Sequence, residues 1–110
     1  MATTTYKVLG QIAPSATTAT TLYTVPASTQ AIVSTISICN ENATAITYRI
    51  SVRVAAAADA TKQYIAYDVS LPANTTDTLT LGITLAATDV ITVYCSSTAV
   101  AFNAYGSEIS

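Results

Sequence analysis

The chain has 110 residues, a net charge of -2, no His and only 9% charged residues, against roughly 25% in ordinary soluble domains. That length builds one domain around a single core, with no need of a metal or disulfide staple. Four basic residues are too few for a phosphate-neutralising track, which excludes nucleic acid as a partner, and no apolar run approaches the roughly 18 residues that span a bilayer.

Thr and Ala together supply roughly two fifths of the chain, and Thr is a strand former. The outer faces are therefore expected to be hydroxyl-rich and nearly neutral. Copies of such a chain repel one another weakly, which points to self-assembly or to docking on a larger particle. The opening MATTTYKVLG has no basic segment followed by an apolar one, so the expectation is synthesis in a cytosol without a secretory signal. The sequons at Asn42 and Asn74 are then products of a Thr-rich composition.

In chain order, Tyr6, Val8 and Ile12 share a parity, and Pro14 ends that strand because it lacks an N–H. Residues 22–25 form a short edge strand, stopped by Pro26. Over residues 31–40, Ile32, Ile36 and Ile38 point one way and Val33, Thr35, Ser37 and Cys39 the other. Asn40 and Asn42 mark a turn.

Residues 45–54 alternate most clearly, with Ile46, Tyr48, Ile50, Val52 and Val54 inward and Thr47, Arg49, Ser51 and Arg53 outward. Residues 55–61 are too short for an unsupported helix and read as a loop. Residues 62–71 return to period two, with Ile65, Tyr67, Val69 and Leu71 inward. Next come Leu79, Leu81, Ile83 and Leu85 on one face, a break at Thr88 and Asp89, and Ile91, Val93 and Cys95, which together read as a hairpin. A last strand, residues 99–109, has Val100, Phe102 and Ala104 as its core set. About eight short strands with turn signals every 8–12 residues predict an all-β, single-domain antiparallel β-sandwich over residues 1–110, immunoglobulin-like or jelly-roll.

Little chemistry is available to this sandwich. Without His no Ser–His or Cys–His nucleophile pair exists. Cys39 and Cys95 fall on opposite parities, whereas an inter-sheet bridge needs both inward with Cβ atoms about 4 Å apart, so two free thiols are expected. Asp59, Asp77 and Asp89 sit at loops or strand ends, where Asp usually closes turns. No enzyme, metal or cofactor is predicted. The possible interface residues are Arg49 and Arg53, about 13 Å apart on one outward strand face, and the outward-parity Tyr64, Tyr94 and Tyr105. Tyr6, Tyr48 and Tyr67 have inward parity and are assigned to the core, with Tyr23 undecided. The three outward tyrosines would also suit a sugar-stacking platform.

Five phrases, TTTYKVLGQIAP, TLYTVPA, QYIAYDVSLPAN, LTLGITLAATDVITVY and the closing AFNAYGSEIS, give the chain an end-to-end resemblance to small virion proteins of tailed bacteriophages, especially those of cyanobacteria. None of the phrases is a catalytic or ligand signature, so no functional residue is carried over. The resemblance implies a β-sandwich structural component, often trimeric, that decorates the head as a cement protein over the major capsid protein or belongs to the tail and its fibres. It also implies location in the virion, with assembly in the bacterial host cytoplasm.

Overall fold

The computed structural model describes residues 2–110. Its strands are β1 (Thr4–Ile12), β2 (Thr20–Thr24), β3 (Gln30–Asn40), β4 (Ile46–Arg53), β5 (Tyr64–Leu71), β6 (Thr76–Leu85), β7 (Val90–Cys95) and β8 (Val100–Ile109). They form two four-stranded sheets, ordered β1-β8-β3-β6 and β2-β7-β4-β5, and every pairing is antiparallel. Only β4 and β5 are neighbours both in sequence and in a sheet; each other connection crosses from one sheet to its partner. That strand order, in which each sheet draws alternately on both halves of the chain, is the jelly roll. It decides between the two sandwiches left open by the sequence.

The core fills the space between the sheets. Ile36, Ile38, Val100, Phe102 and Ala104 from the first sheet face Ile46, Tyr48, Ile50, Leu71, Ile91 and Val93 from the second. Tyr48 meets Phe102 edge to face with ring centroids 6.3 Å apart, an arrangement favoured by the ring quadrupoles. Its hydroxyl donates to Asp77 Oδ2 at 2.9 Å, so the one polar atom of a buried ring is satisfied. Cys95 is buried and Cys39 half-buried, and both are free thiols.

Polar side chains fasten the turns. Asn40, buried at the end of β3, donates from Nδ2 to the carbonyls of Thr44, Leu71 and Pro72 and accepts from the Asn42 amide. Asp89, also buried, accepts from the amides of Ala55 and Ala86. One carboxylate thus ties the end of β4 in one sheet to the end of β6 in the other.

Bulges set which apolar residues reach the core. In the first sheet the irregular positions are Leu9 of β1, opposite Ala104–Tyr105 of β8, Ser34 of β3, opposite Tyr105–Gly106 of β8, and the pair Leu81–Gly82 of β6, opposite Ser34. An extra residue reverses parity on one side of the bulge. Ile32 therefore faces outward while Val33 is buried, and Ile36 and Ile38 face inward. The single inward set predicted for Ile32, Ile36 and Ile38 is corrected accordingly. Tyr6 and Val8 are likewise outside, Tyr6 at 84% exposure, because Leu9 and Gly10 supply the inner side of β1. Leu81, placed in the core set by its alternation, is 53% exposed, since it stands in the β6 bulge beside Gly82 at φ +62°.

The second sheet carries the same kind of correction. Irregular pairing of β5 with β4, and Asp68 at φ +50°, leave Ala66 and Leu71 as the buried residues of β5. Ile65 and Tyr67 are exposed rather than core. Val54 is exposed as well, because β4 ends at Arg53 and the chain enters a single 3-10 turn, Val54–Ala56. A second such turn, Thr61–Gln63, takes up the first two residues of the strand expected over 62–71, so β5 begins at Tyr64. The predicted hairpin of residues 79–85 and 91–95 is also corrected: β6 and β7 belong to opposite sheets and do not pair with each other. Asp89 closes that crossing.

Candidate interaction surfaces

The outward faces of β7, β4 and β5 bring Tyr94, Arg49 and Tyr67 into one row across the second sheet. The Arg49 guanidinium lies 4.2 Å from the Tyr67 ring centroid and 4.4 Å from that of Tyr94, within cation–π range of both. Its Nε donates to Asp68 Oδ1 at 2.6 Å and its Nη2 to Oδ2 at 3.2 Å, a bidentate fork that fixes the plane of the group. Pairing with Arg49 holds the Asp68 carboxyl below the usual carboxylate range, and the same bond pushes the guanidinium up.

Tyr64 packs edge to face on Tyr67 at 5.0 Å and donates its hydroxyl to Asp59 Oδ2 at 3.0 Å. Partial burial, and then the neighbouring Asp59, raise the Tyr64 phenol. Two shallow hollows of about 540 and 220 Å³ adjoin the cluster and share Arg49, Asp59 and Tyr64 in their walls. Each is open and lined by polar and aromatic groups, and each suits a contacting surface better than an engulfed small molecule. Tyr67 and Tyr94 both turn a ring face to Arg49, which removes those faces from any sugar-stacking platform.

Of the residues predicted to form an interface, Arg49, Tyr64 and Tyr94 come together. Arg53 shares their sheet but serves the adjoining turn: it donates to the carbonyls of Ala57 and Ala56 and to Thr92 Oγ1. Those bonds brace Ala55 and Ala56, which both have positive φ, a strained conformation for residues carrying a Cβ. Tyr105 is elsewhere, on the outer face of the first sheet with its hydroxyl 3.5 Å from Ser37 Oγ. Tyr67 is the member of the cluster that parity misassigned to the core. The Asp-containing irregular stretch beside it was the available signal, since Asp tolerates positive φ.

The outer face of the first sheet is of a different kind. Its strands contain three charged residues, Lys7, Asp77 and Glu108, and all three turn away from that face. Lys7 pairs with Glu108 at 2.8 Å. Glu108 also accepts from Tyr23 of β2 in the opposite sheet, and Asp77 accepts from Tyr48 of β4. What remains outside is Thr, Ser, Gln and Asn interspersed with the exposed Tyr6, Val8, Ile32, Leu81 and Tyr105.

Among the described residues, no three His, Cys, Asp or Glu side chains gather as a metal ion requires, and no helix is long and apolar enough to cross a membrane. No protein-family model and no curated protein matches the sequence. Solved structures do match the fold. A chain in the structure of the infectious bursal disease virus Gx strain superposes with a TM-score of 0.54 at 11% identity, over 99% of this chain and 32% of that one. A chain in the crystal structure of the T13 particle of the same virus gives a TM-score of 0.57 at 7% identity, over 98% of this chain and 30% of that one. At such identities the likeness is one of fold, and this chain spans about a third of the length of the chains it matches.

Proposed function

We propose that this chain is a non-enzymatic structural component of a virus particle: a decoration or cement protein of a tailed bacteriophage, bound as a trimer over the major capsid shell. The single observation that carries the reading is the combination of a jelly roll with a broad outer sheet face free of charged side chains. A jelly roll serves viral shells and lectins alike, and the likeness of fold to chains of the infectious bursal disease virus particle supports the viral reading. The Arg49, Tyr64 and Tyr94 cluster, joined by Tyr67 and with Arg53 on the same sheet, is the surface assigned to the particle, because aromatic and Arg side chains are the residues interfaces concentrate. Tyr105 belongs to the other face and contributes there. The mechanism is passive. Added contact area across subunit junctions raises the cost of separating them, and the assembly takes place in the bacterial host cytoplasm.

The test is the number of copies per particle, from quantitative mass spectrometry of purified virions against the major capsid protein. A ratio near one, or a fixed simple fraction of it, is expected for a decoration protein. A handful of copies would move the chain to the tail or fibres, and absence from purified particles would overturn the structural reading.

A further inference from the structure

The outer face of the first sheet has a defined geometry. Strand register sets Tyr6 of β1 opposite Ser107 of β8, and Ser107 opposite Ile32 of β3. In the next outward row Val8 stands opposite Tyr105, and Tyr105 opposite Thr35. Tyr6, Val8, Ile32 and Tyr105 therefore form one contiguous apolar patch over three strands. Ser107, between Tyr6 and Ile32, is buried although it lies on the outer face. Leu81 extends the patch towards β6, and Thr76, Thr78, Thr80 and Thr84 complete that edge with hydroxyls.

We infer that this face is where copies of the chain meet: the outer surface of β1-β8-β3-β6 on one copy is covered by further copies of the same chain. The inference rests on the oligomeric reading above and names the surface that closes the oligomer. Three physical points choose a like copy as the occupant. First, the face carries no charge, so it neither repels its own image nor calls for a partner of opposite sign. Second, a hydroxyl both donates and accepts; a Thr- and Ser-rich surface is complementary to another of its kind, whereas a surface of donors alone is not. Third, four strands about 4.8 Å apart and about ten residues long cover roughly 600 Å² of plane before side-chain relief is counted, and a stable interface needs about 800 Å² of accessible surface per partner. An oligomer closed through this face leaves the Arg49 surface of each copy on its outside, free to meet the shell.

The experiment uses the whole chain, purified, with its mass in solution measured by light scattering across micromolar concentrations. Wild type is expected to be oligomeric. Ile32→Lys and Tyr105→Lys, which place a charge in the proposed contact, are expected to raise the dissociation constant by about 30-fold or more, while Ile65→Lys, on the exposed side of the opposite sheet, leaves it unchanged. Circular dichroism establishes that each variant is folded. A second readout needs no substitution: Cys39 is half-buried on the same outer face near Ala101 and Thr76, so its reaction with a thiol reagent should slow as concentration rises. Oligomers that survive both Lys substitutions with Cys39 still reactive would overturn the inference. So would a wild-type chain that stays monomeric throughout, and that result would leave the particle reading to be decided by copy number alone.

Discussion

The two outer faces of this sandwich are made by different means. On the second sheet the surface is an assembly of side chains: Arg49 is gripped by Asp68 and flanked by Tyr67 and Tyr94. On the first sheet it is shaped by backbone. A line of bulges at Leu9, Ser34 and Leu81–Gly82 flips Tyr6, Val8, Ile32 and Leu81 outward, and the sheet's charged side chains are spent on bonds elsewhere. One face offers directional polar chemistry, the other a broad neutral area. A side-chain surface tolerates substitution at any of its members; a backbone-shaped one is intolerant where its strands approach most closely, as at Gly106.

That contrast is broken most severely at Gly106. A Cβ built there would stand 1.9 Å from the Ile32 carbonyl oxygen, so Gly106→Ala must push β3 away from β8. The expected loss is about 3 kcal/mol of unfolding free energy, the upper range for overpacking, read by urea denaturation. Gly82→Ala is the matched control on the same bulge line. It has φ +62° and nothing within 4 Å of the added carbon, so only the left-handed backbone is penalised, at about 1 kcal/mol. Equal costs for the two would contradict a face shaped by close backbone approach.

Asp89→Ala comes next and tests the tie between the sheets. It leaves the Ala55 and Ala86 amides without their acceptor, with an expected cost of about 2 kcal/mol. Asp89→Asn, which keeps one acceptor oxygen, should recover part of it. A neutral Asp89→Ala would show that the crossing is held by packing alone.

The ion pair under the first sheet gives a smaller, pH-dependent effect. Bonds from Lys7 and then from Tyr23 hold the Glu108 carboxyl below the usual range. A depressed folded value means that the stabilisation is complete above the unfolded-chain carboxyl value of about 4.3. It is lost as pH falls through the lower folded value. Thermal melts from pH 6 to pH 3 should therefore show a decline that Glu108→Gln reduces. Asp68, depressed in the same sense by Arg49, is too exposed for its pair to add much. The smallest effect is expected from Arg49→Ala: a melting temperature close to wild type, with Tyr67 and Tyr94 more accessible to quenchers. A large drop in melting temperature would mean that the second face, too, is part of the fold's support.

Much of this architecture was legible in the chain, in a particular way. Alternation located the strands, and it assigned Ile46, Tyr48, Ile50, Val100, Phe102 and Ala104 to the core correctly, because β4 and the first half of β8 run without interruption. It failed wherever an extra residue intervenes. Ile32, Leu81 and Tyr67 each sit beside a bulge or a positive-φ residue, and parity counted through such a point gives the wrong side. Tyr6 and Val8 failed in the same way: the extra residue at Leu9 separates them from Ile12, which packs against the core, so a parity counted through Leu9 puts them on the wrong side. Nor does parity say which sheet a strand joins. Tyr64, Tyr94 and Tyr105 were correctly read as outward, yet Tyr105 points away on the far side of the molecule. The β6–β7 crossing was hidden because the turn residues of a crossing resemble those of a hairpin; only the Asp89 bonds to both sheets distinguish it.

That the two faces have two different partners is tested most directly by hydroxyl-radical footprinting of the same chain, free in solution and on purified particles. The expected pattern is protection of Tyr6, Ile32, Leu81 and Tyr105 in both samples, with Tyr64, Tyr67 and Tyr94 reactive in solution and protected only on the particle. Tyr6 and Tyr105 oxidised on the particle as readily as in an unfolded chain would contradict it.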